Sequence, residues 1–277
     1  MRKLFALGLL AALGGCTAVI DQGSFFPADV AETPGSVLRA PAGTSLEHAM
    51  LELPGLGIVH VARMDRPGTD AAVIYSLGNG GYVSEESLRA GALSEATGAD
   101  VILYDYPGRG GTTVPGTIDA AIATGPALVS ALKSKGWIGR GPLFAYGLSF
   151  GGSQAAAMAR EGGFDGLIIE GSAADIAAVG RNFVPALARP FVRLKVDPAL
   201  GRFDYRGYAV AANAPVLLIS SADDKIVRPR NMRDFADQLR AAGRDVTFVS
   251  VPGPHGTALR DVRTREAVAA FVRRHGG

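Results

Sequence analysis

Short apolar runs alternate with amphipathic segments from about residue 46 to the C-terminus. The runs are too short for helices and apolar enough to be buried on both faces, which is typical of strands in a parallel sheet. Their alternation with helices predicts an α/β fold, in which helices cover both faces of a mostly parallel eight-stranded sheet. The predicted strands are His48–Leu53, Ile58–Arg63, Ala71–Leu77, Asp100–Tyr104, Leu143–Tyr146, Leu167–Glu170, Val216–Ser220 and Val246–Val251. The predicted helices are Ser84–Thr97, Ile118–Lys135, Gln154–Arg160, Asn231–Ala242 and Arg260–Arg274.

Two segments depart from this alternation. Residues 172–213 form a connection of about 40 residues, far longer than the usual two to six, which predicts an insertion with structure of its own. Residues 16–45 are rich in Ala, Gly, Pro, Ser and Thr and show little periodicity, which predicts a tether. The expected organisation is therefore a tether followed by one α/β domain over residues 46–277, interrupted by the insertion.

The overall composition narrows the class of protein. Of 277 residues, 48% are hydrophobic and 19% are charged, so the chain can bury a sizeable core and is not an extended polyelectrolyte. Lys and Arg number 28 against 26 Asp and Glu, and no stretch concentrates the basic residues strongly. Nucleic acid is therefore not expected as a partner. The single cysteine, Cys16, excludes an intramolecular disulfide.

The first sixteen residues have the features of a targeting segment. Arg2 and Lys3 precede the apolar stretch Leu4–Leu13, which is too short to span a bilayer and suits the hydrophobic region of a signal peptide. Two glycines and Cys16 follow, and this ending resembles the lipoprotein box of bacteria. The resemblance implies that residues 1–15 are a signal peptide and that Cys16 is the lipid attachment site. The alternative is an ordinary secretory leader in which Cys16 is incidental.

The same resemblance implies a place in the cell. Loss of residues 1–15 removes two basic residues from the 28, which leaves 26 basic and 26 acidic residues. Attachment to a membrane would then depend on acyl chains, at ~0.8 kcal/mol per buried CH₂, and not on a basic patch. Thr17, and not Asp, follows the cysteine, which by resemblance to sorted lipoproteins favours the periplasmic face of the outer membrane.

One serine lies in a motif that carries chemistry. Ser149 is the centre of Gly-Leu-Ser-Phe-Gly, directly after a predicted strand and directly before a predicted helix, the context of a nucleophile elbow. The strained turn of an elbow leaves no room for side chains two residues to either side, and Gly147 and Gly151 meet that need. The alternative is a tight turn in which Ser149 caps the helix.

With this motif the chain resembles the α/β-hydrolase family over roughly residues 46–275. Members order their catalytic groups Ser, then Asp or Glu, then His. The acid is expected after the strand that follows the insertion, where Asp223 and Asp224 both occur, and the spacing to Val227 matches the family pattern for Asp224. The resemblance places the histidine in a Gly/Pro loop after the last strand, where His255 lies.

The other histidines fit this role less well. His48 and His60 precede the serine and lie in early strands, and His275 lies at the C-terminal end. By acid–base chemistry, His255 would take the proton of Ser149 and Asp224 would hold the imidazole in the required tautomer. A surface-loop histidine and a turn carboxylate are the simpler alternatives for each residue alone.

A tetrahedral intermediate also requires hydrogen-bond donors. The residue after the nucleophile, Phe150, offers a backbone N–H. The loop Gly78-Asn79-Gly80-Gly81 resembles the family's His-Gly-x-Gly loop, with Leu77 where many members have His, and it implies Asn79 as the second donor. A phosphate-binding loop is the competing interpretation, but no Lys-Ser/Thr pair follows the glycines.

Further polar residues surround these candidates. Asp105 is expected to bond turn amides. Arg109 is expected to be a solvated loop residue, with a position lining the pocket as the alternative. Glu170, at a strand end, is a second candidate for the acid. By resemblance the insertion is a cap. Its apolar residues, among them Phe183 and Leu187, would face the site or pack as a core helix; an apolar lid favours an uncharged acyl substrate.

Together these features imply a serine hydrolase that cleaves small-molecule carboxylic esters or thioesters through an acyl-enzyme, with no cofactor and no metal. Peptidase and lipase activity are open within the same fold, because a fold does not decide the substrate. A non-catalytic envelope lipoprotein that uses the fold for binding is the alternative from a different class.

Overall fold

The computed structural model describes residues 16–26 and 30–277. The strands within these residues are β1 (Cys16–Ile20), β2 (Ser45–Leu53), β3 (Gly57–Asp65), β4 (Ala72–Ser76), β5 (Asp100–Tyr104), β6 (Leu143–Leu148), β7 (Gly166–Glu170), β8 (Val192–Val196), β9 (Val216–Ser221) and β10 (Val246–Val251). The α-helices are α1 (Ser87–Thr97), α2 (Ile118–Lys135), α3 (Phe150–Ala159), α4 (Ile176–Gly180), α5 (Tyr205–Ala211), α6 (Pro229–Ala241) and α7 (Val262–His275).

Eight of the strands form one sheet in the order β10-β9-β7-β6-β4-β5-β3-β2. Pairing is parallel from β10 to β5, whereas β3 is antiparallel to both β5 and β2. Helices cover both faces: α1 packs beside α7, and α2 and α5 pack against α3. The predicted α/β-hydrolase architecture, with its mostly parallel eight-stranded sheet, is therefore confirmed.

The central strands explain why this sheet is stable. Every residue of β4, β6, β7 and β9 is buried, because helices exclude water from both faces of these strands. Burial of one Val, Leu or Ile side chain contributes roughly 1.5–3 kcal/mol. The apolar runs of the sequence mark these strands for the same reason, and their observed bounds differ from the predicted ones by at most two residues.

The first helix begins later than the pattern predicts. The sequence predicts a helix from Ser84, but the α-helix starts at Ser87 after a short 3-10 turn. The hydroxyl of Ser84 bonds Glu32 instead of the helix, so it is not available as a cap. The helix ends at Thr97, as predicted, because the next residue, Gly98, has φ 67° in the left-handed region that glycine tolerates.

The predicted tether over residues 16–45 is part of the folded domain wherever the structure describes it. Strand β1 pairs in parallel with β8 of the insertion, with Cys16 opposite Val192. Further along, Leu38 is buried in the core and the amide of Thr33 donates to Glu85. The segment predicted to be a tether therefore packs against the domain through Leu38, although its apolar residues are irregularly spaced.

The insertion over residues 172–213 contains α4, β8 and α5 joined by 3-10 turns. Its apolar side chains do not all face inward: Phe183, Leu187 and Phe191 are 66%, 91% and 71% exposed. For these three residues the expectation of an inward-facing position was wrong, whereas the ring of Tyr208 in the same segment lies 5.6 Å from that of Phe203. Phe203 and Tyr205 are the buried aromatic residues of this segment.

The predicted signal peptide, residues 1–15, lies outside the described residues. Within residues 16–26 and 30–277 no helix has the length and apolar character needed to cross a bilayer.

Candidate active site

Ser149 occupies the turn between β6 and α3 in a strained conformation. Its backbone has φ 54° and ψ −121°, and a residue other than glycine at such angles costs of order 1–3 kcal/mol. The amide of Ser149 donates to the carbonyl oxygen of Glu170 at 2.8 Å, which holds the turn against β7. Its side chain makes no capping bond to α3, so the simpler interpretation of Ser149 as a helix cap fails.

The flanking glycines make this turn possible. A Cβ atom on Gly147 would lie 2.2 Å from the carbonyl oxygen of Gly151. A Cβ on Gly151 would lie 2.1 Å from the carbonyl oxygen of Ser76, at the end of β4. Backbone surrounds both positions and cannot move aside, so any side chain would open the turn. The structure therefore has no room for a side chain two residues to either side of Ser149, as the sequence motif predicts.

Asp224 and His255 form a hydrogen-bonded pair beyond β9 and β10. His255 Nδ1 lies 2.7 Å from Asp224 Oδ2. The other carboxylate oxygen of Asp224 accepts from the amides of Ile226 and Val227, at 2.8 and 2.9 Å. One carboxylate oxygen of Asp224 is thus held by backbone amides and the other bonds the His255 ring. The buried Asp224 therefore fixes the orientation of the imidazole.

Asp223 has a different place. Its Oδ2 accepts from the amide of Gly253 at 3.0 Å, and its own amide donates to the carbonyl oxygen of Gly253 at 3.1 Å. Asp223 therefore braces the loop that carries His255 without bonding the ring. Of these two neighbouring carboxylates, only that of Asp224 is hydrogen-bonded to the His255 ring.

The loop of His255 adjoins the Ser149 turn. A Cβ on Gly256 would lie 3.8 Å from the side chain of Leu148, which directly precedes the serine. On the other side, a Cβ on Gly171 would lie 3.3 Å from the His255 ring. Gly171 follows Glu170, whose carbonyl oxygen binds the Ser149 amide. Serine, histidine and aspartate, far apart in sequence, are thus carried by neighbouring loops at one edge of the sheet.

A buried ionic network ties these loops together. Glu170, expected as a second candidate for the acid, does not bond His255. Its Oε1 accepts from the amide of Ala258 at 3.1 Å, and its Oε2 accepts from Arg89 at 2.8 Å and from the hydroxyl of Tyr146. Arg89 also donates to the carbonyl oxygen of Gly256. The network therefore fixes Gly256 and Ala258, one and three residues after His255. No pattern in the sequence marks Arg89 or Tyr146 for this role.

The charges in this network are set by burial and by one another. Burial and the carboxylate of Glu170 raise the pKa of Tyr146 well above its usual value. Burial opposes the charge of Arg89, but Tyr75 and Glu170 are the largest of the influences that raise the pKa of its guanidinium. Burial also raises the pKa of Glu86, an effect that Arg89 partly offsets. Arg89 is therefore the cation around which the buried acceptors are arranged.

Glu170→Gln is expected to lower the free energy of unfolding by about 3 kcal/mol, because it leaves the buried Arg89 without its closest counter-charge. Glu161→Gln is the control: Glu161 is exposed and lies 3.6 Å from Arg160, and surface pairs of this kind contribute about 0–1 kcal/mol. Urea unfolding of both variants measures the difference. Equal losses would show that the Glu170 network does not hold the domain together.

The predicted oxyanion loop lies against the Ser149 turn. The amide of Gly81 donates to the carbonyl oxygen of Gly78 at 3.0 Å. Between them, Gly80 has φ 80°, in the left-handed region. The side chain of Asn79 donates to the carbonyl oxygen of Ser24 at 2.9 Å, so the N-terminal segment orients this residue. Phe150 begins α3, and the N–H groups of a first helical turn have no acceptor within the helix. A Cβ on Gly78 would lie 3.4 Å from the side chain of Leu148, so this loop adjoins the residue that precedes Ser149.

Aromatic rings surround Phe150. Its ring centroid lies 5.1 and 5.8 Å from those of Phe25 and Phe26 in the N-terminal segment. Tyr106, after β5, lies at 5.8 Å, and Phe203 of the insertion lies at 6.3 Å. Three separate parts of the chain therefore build an apolar wall beside the serine. Phe25 and Phe26 of this wall lie in the segment that the sequence predicts to be a tether.

Asp105 organises a second histidine pair away from this site. Its carboxylate lies 2.6 Å from His60 Nδ1 and accepts from the amide of Val83, in line with its expected structural role. His60 Nε2 lies 3.0 Å from His48 Nδ1, and burial, followed by His60, lowers the pKa of His48. Within residues 16–26 and 30–277, no three or more His, Cys, Asp or Glu side chains are grouped so that they could hold a metal ion.

Arg109 was expected in solvent, and this was wrong. It is 5% exposed and its guanidinium lies 5.6 Å from the centre of the Tyr82 ring. The loop folds over Tyr82 and Val30, so the arginine is covered although glycines surround it in the sequence.

Comparisons with known proteins agree with the fold. No known protein family matches the sequence, and no curated protein is similar to it in sequence. Among solved structures, the esterase Pf2001 of Pyrococcus furiosus has a TM-score of 0.68 at 15% identity, over 89% of this chain and 100% of that one. Carboxyl esterase 2 of the fungus Tuber melanosporum has a TM-score of 0.65 at 16% identity, over 86% and 90%. A puromycin-hydrolysing peptidase of Mycobacterium tuberculosis has a TM-score of 0.66 at 18% identity, over 86% and 40%. These similarities show that the chain has the α/β-hydrolase fold.

Proposed function

We propose that this protein is a serine hydrolase that cleaves carboxylic esters or thioesters through a covalent acyl-enzyme. The observation that carries the proposal is the 2.7 Å bond between Asp224 and His255, on loops that adjoin the strained turn of Ser149. The names of the structural neighbours, esterases among them, are in line with it. A protein that used the fold only for binding would need neither the strained serine nor the oriented imidazole.

The reaction follows from the acid–base properties of these groups. Ser149 Oγ attacks the carbonyl carbon while its proton passes to His255 Nε2, and the carbonyl π electrons move to the oxygen. Asp224 stabilises the imidazolium through the Nδ1–H bond. The backbone N–H groups of Phe150 and Asn79 stabilise the oxyanion, each donor being worth about 3 kcal/mol. Collapse breaks the bond to the alcohol or thiol, which leaves with the proton from His255.

Water then completes the cycle. It attacks the acyl carbon with His255 as base, and the intermediate collapses to release a carboxylic acid and restore Ser149. No step requires a metal or a cofactor. The aromatic wall around Phe150 supports an uncharged, apolar acyl group, because it offers contact area and no counter-charge. A panel of p-nitrophenyl and CoA esters of increasing acyl length measures this preference.

A fluorophosphonate probe tests whether the site is reactive. The probe labels serines that an adjacent base activates, so we expect labelling of the wild-type protein at neutral pH and none of Ser149→Ala. Absence of wild-type labelling would favour the binding-module alternative.

We also propose that Cys16 carries acyl chains and anchors the protein to the periplasmic face of the bacterial outer membrane, after removal of residues 1–15. Support comes from the signal-like N-terminus and from the exposure of Cys16. Wild-type protein expressed in bacteria is expected to incorporate a labelled fatty acid, and Cys16→Ser is expected to incorporate none. A wild-type protein that fractionates as soluble would contradict the anchor.

A further inference from the structure

The insertion exposes an unusual set of large apolar side chains. Phe183, Leu187 and Phe191 are spaced four residues apart in a run of 3-10 turns, and each is exposed over most of its surface. Large exposed apolar side chains that lie close together are typical of surfaces that contact a membrane or another protein. None of the three is needed for the aromatic wall at Phe150, which uses Phe203 of the same insertion instead.

Basic side chains accompany these residues, and the nearest acidic ones in the chain, Asp175 and Asp197, lie at the two ends of the segment, where they accept from the amides of Ala178 and Ala199. Residues 176–196 contain Arg181, Arg189, Arg193 and Lys195 and no Asp or Glu. Arg181 and Arg193 are exposed, and within residues 16–26 and 30–277 neither forms an ion pair. Apolar side chains together with unpaired cations are the combination that binds the surface of an anionic bilayer. The local excess of positive charge contrasts with the nearly neutral chain as a whole.

The position of Cys16 relates this surface to the proposed anchor. Cys16 is the first residue of β1 and lies opposite Val192 in the parallel pair β1–β8. Val192 directly follows Phe191, and Thr17, Phe191 and Arg193 line one open groove. An acyl chain on Cys16 would therefore leave the protein beside Phe191, with no linker between the anchor and the insertion. A bilayer that holds the anchor must then lie against this part of the insertion.

We propose that the face formed by Phe183, Leu187, Phe191, Arg181 and Arg193, called here the cap face, docks onto an anionic lipid bilayer. The three apolar side chains enter the interface and the two guanidinium groups bind lipid phosphates. The proposal rests on the lipid anchor of the proposed function for its orientation, but the docking itself is a property of exposed residues. It would hold the aromatic wall of the site close to the lipid surface, because Phe203 and the cap face belong to the same insertion.

The docking can be measured without the anchor. The chain from residue 16 onward with Cys16→Ser contains every described residue and lacks the acylation site. We expect it to sediment with vesicles of phosphatidylethanolamine and phosphatidylglycerol, and much less with vesicles of phosphatidylcholine alone. In this background, Phe183→Ser, Leu187→Ser and Phe191→Ser together are expected to lower the vesicle partition coefficient at least tenfold.

Two further variants separate the contributions. Arg181→Gln with Arg193→Gln is expected to lower partition roughly 25-fold on the anionic vesicles only, since each basic residue near the surface is worth about a factor of five. Leu88→Ser is the control: Leu88 is 87% exposed on α1, outside the cap face, and its replacement should leave partition unchanged. Thermal unfolding of each variant checks that the fold is kept.

Failure of this proposal is distinct from failure of the hydrolase. Hydrolysis of a soluble p-nitrophenyl ester should be the same in the cap-face variants and in their parent, because no cap-face residue touches the proposed catalytic groups. Lack of vesicle binding by the parent, or binding that survives all five replacements, would overturn the docking proposal whatever the activity. A parent that is dimeric in solution, becomes monomeric in the triple variant and ignores vesicles would assign the face to a second copy of the chain instead.

Discussion

Ser149→Ala is expected to lower kcat for ester hydrolysis roughly 10⁶-fold, the loss that follows when the nucleophile of a serine hydrolase is removed. The alanine keeps the strained backbone and both flanking glycines, so the change removes the attacking oxygen and little else. The remaining rate would come from the oxyanion donors and from substrate binding. Steady-state kinetics with a p-nitrophenyl ester, on protein purified away from host esterases, measures the loss.

Ser153→Ala is the matched control for this variant. Ser153 lies one helical turn further along α3 and donates to the carbonyl oxygen of Phe150 at 2.6 Å. Its replacement removes one hydroxyl from the same helix and is expected to change kcat by less than about tenfold, since only a hydrogen bond within the helix is lost. If Ser149→Ala retained activity comparable to that of Ser153→Ala, the nucleophile would have to be sought elsewhere.

Asp224→Asn is expected to lower kcat about 10⁴-fold. The amide can still accept from the backbone of Ile226 and Val227, but its NH₂ group then faces His255 Nδ1. That nitrogen must become the acceptor, so the proton moves to Nε2 and the imidazole can no longer take a proton from Ser149. The loss should appear in kcat and much less in KM, because Asp224 is buried and bonds the His255 ring.

Asp223→Asn provides the comparison next to it in the chain. Asp223 bonds the amide of Gly253, and an asparagine oxygen can make the same bond, so a change of less than about tenfold in kcat is expected. A larger loss for Asp223→Asn than for Asp224→Asn would show that the acid has been assigned to the wrong carboxylate.

The features that the sequence predicts best are those whose requirements are local. The Ser149 turn is one, because Gly147, Gly151, a buried strand and a helix all lie within a few residues of it. The choice of Asp224 over Asp223 is another, because the spacing to Val227 reflects a bond between the carboxylate and the Val227 amide. The parallel sheet follows similarly from apolar runs that are buried on both faces.

The features that the sequence does not predict depend on distant partners. Arg89 resembles a surface residue of α1 until its acceptors are known, and these are 81 and 167 residues away in the chain. Phe25 and Phe26 lie in a segment without periodicity, and only their contact with Phe150 shows that this segment belongs to the domain. Composition alone cannot distinguish such a segment from a tether, because packing against a folded surface requires a few well-placed side chains and no repeat.

The most direct test of the central claim is mass spectrometry of the protein quenched during turnover of a p-nitrophenyl ester. The account predicts that the intact mass increases by that of the acyl group, that the adduct lies on the peptide containing Ser149, and that it is absent from Ser149→Ala. Hydrolysis at the wild-type rate with no adduct, and with Ser149→Ala still active, would contradict the account.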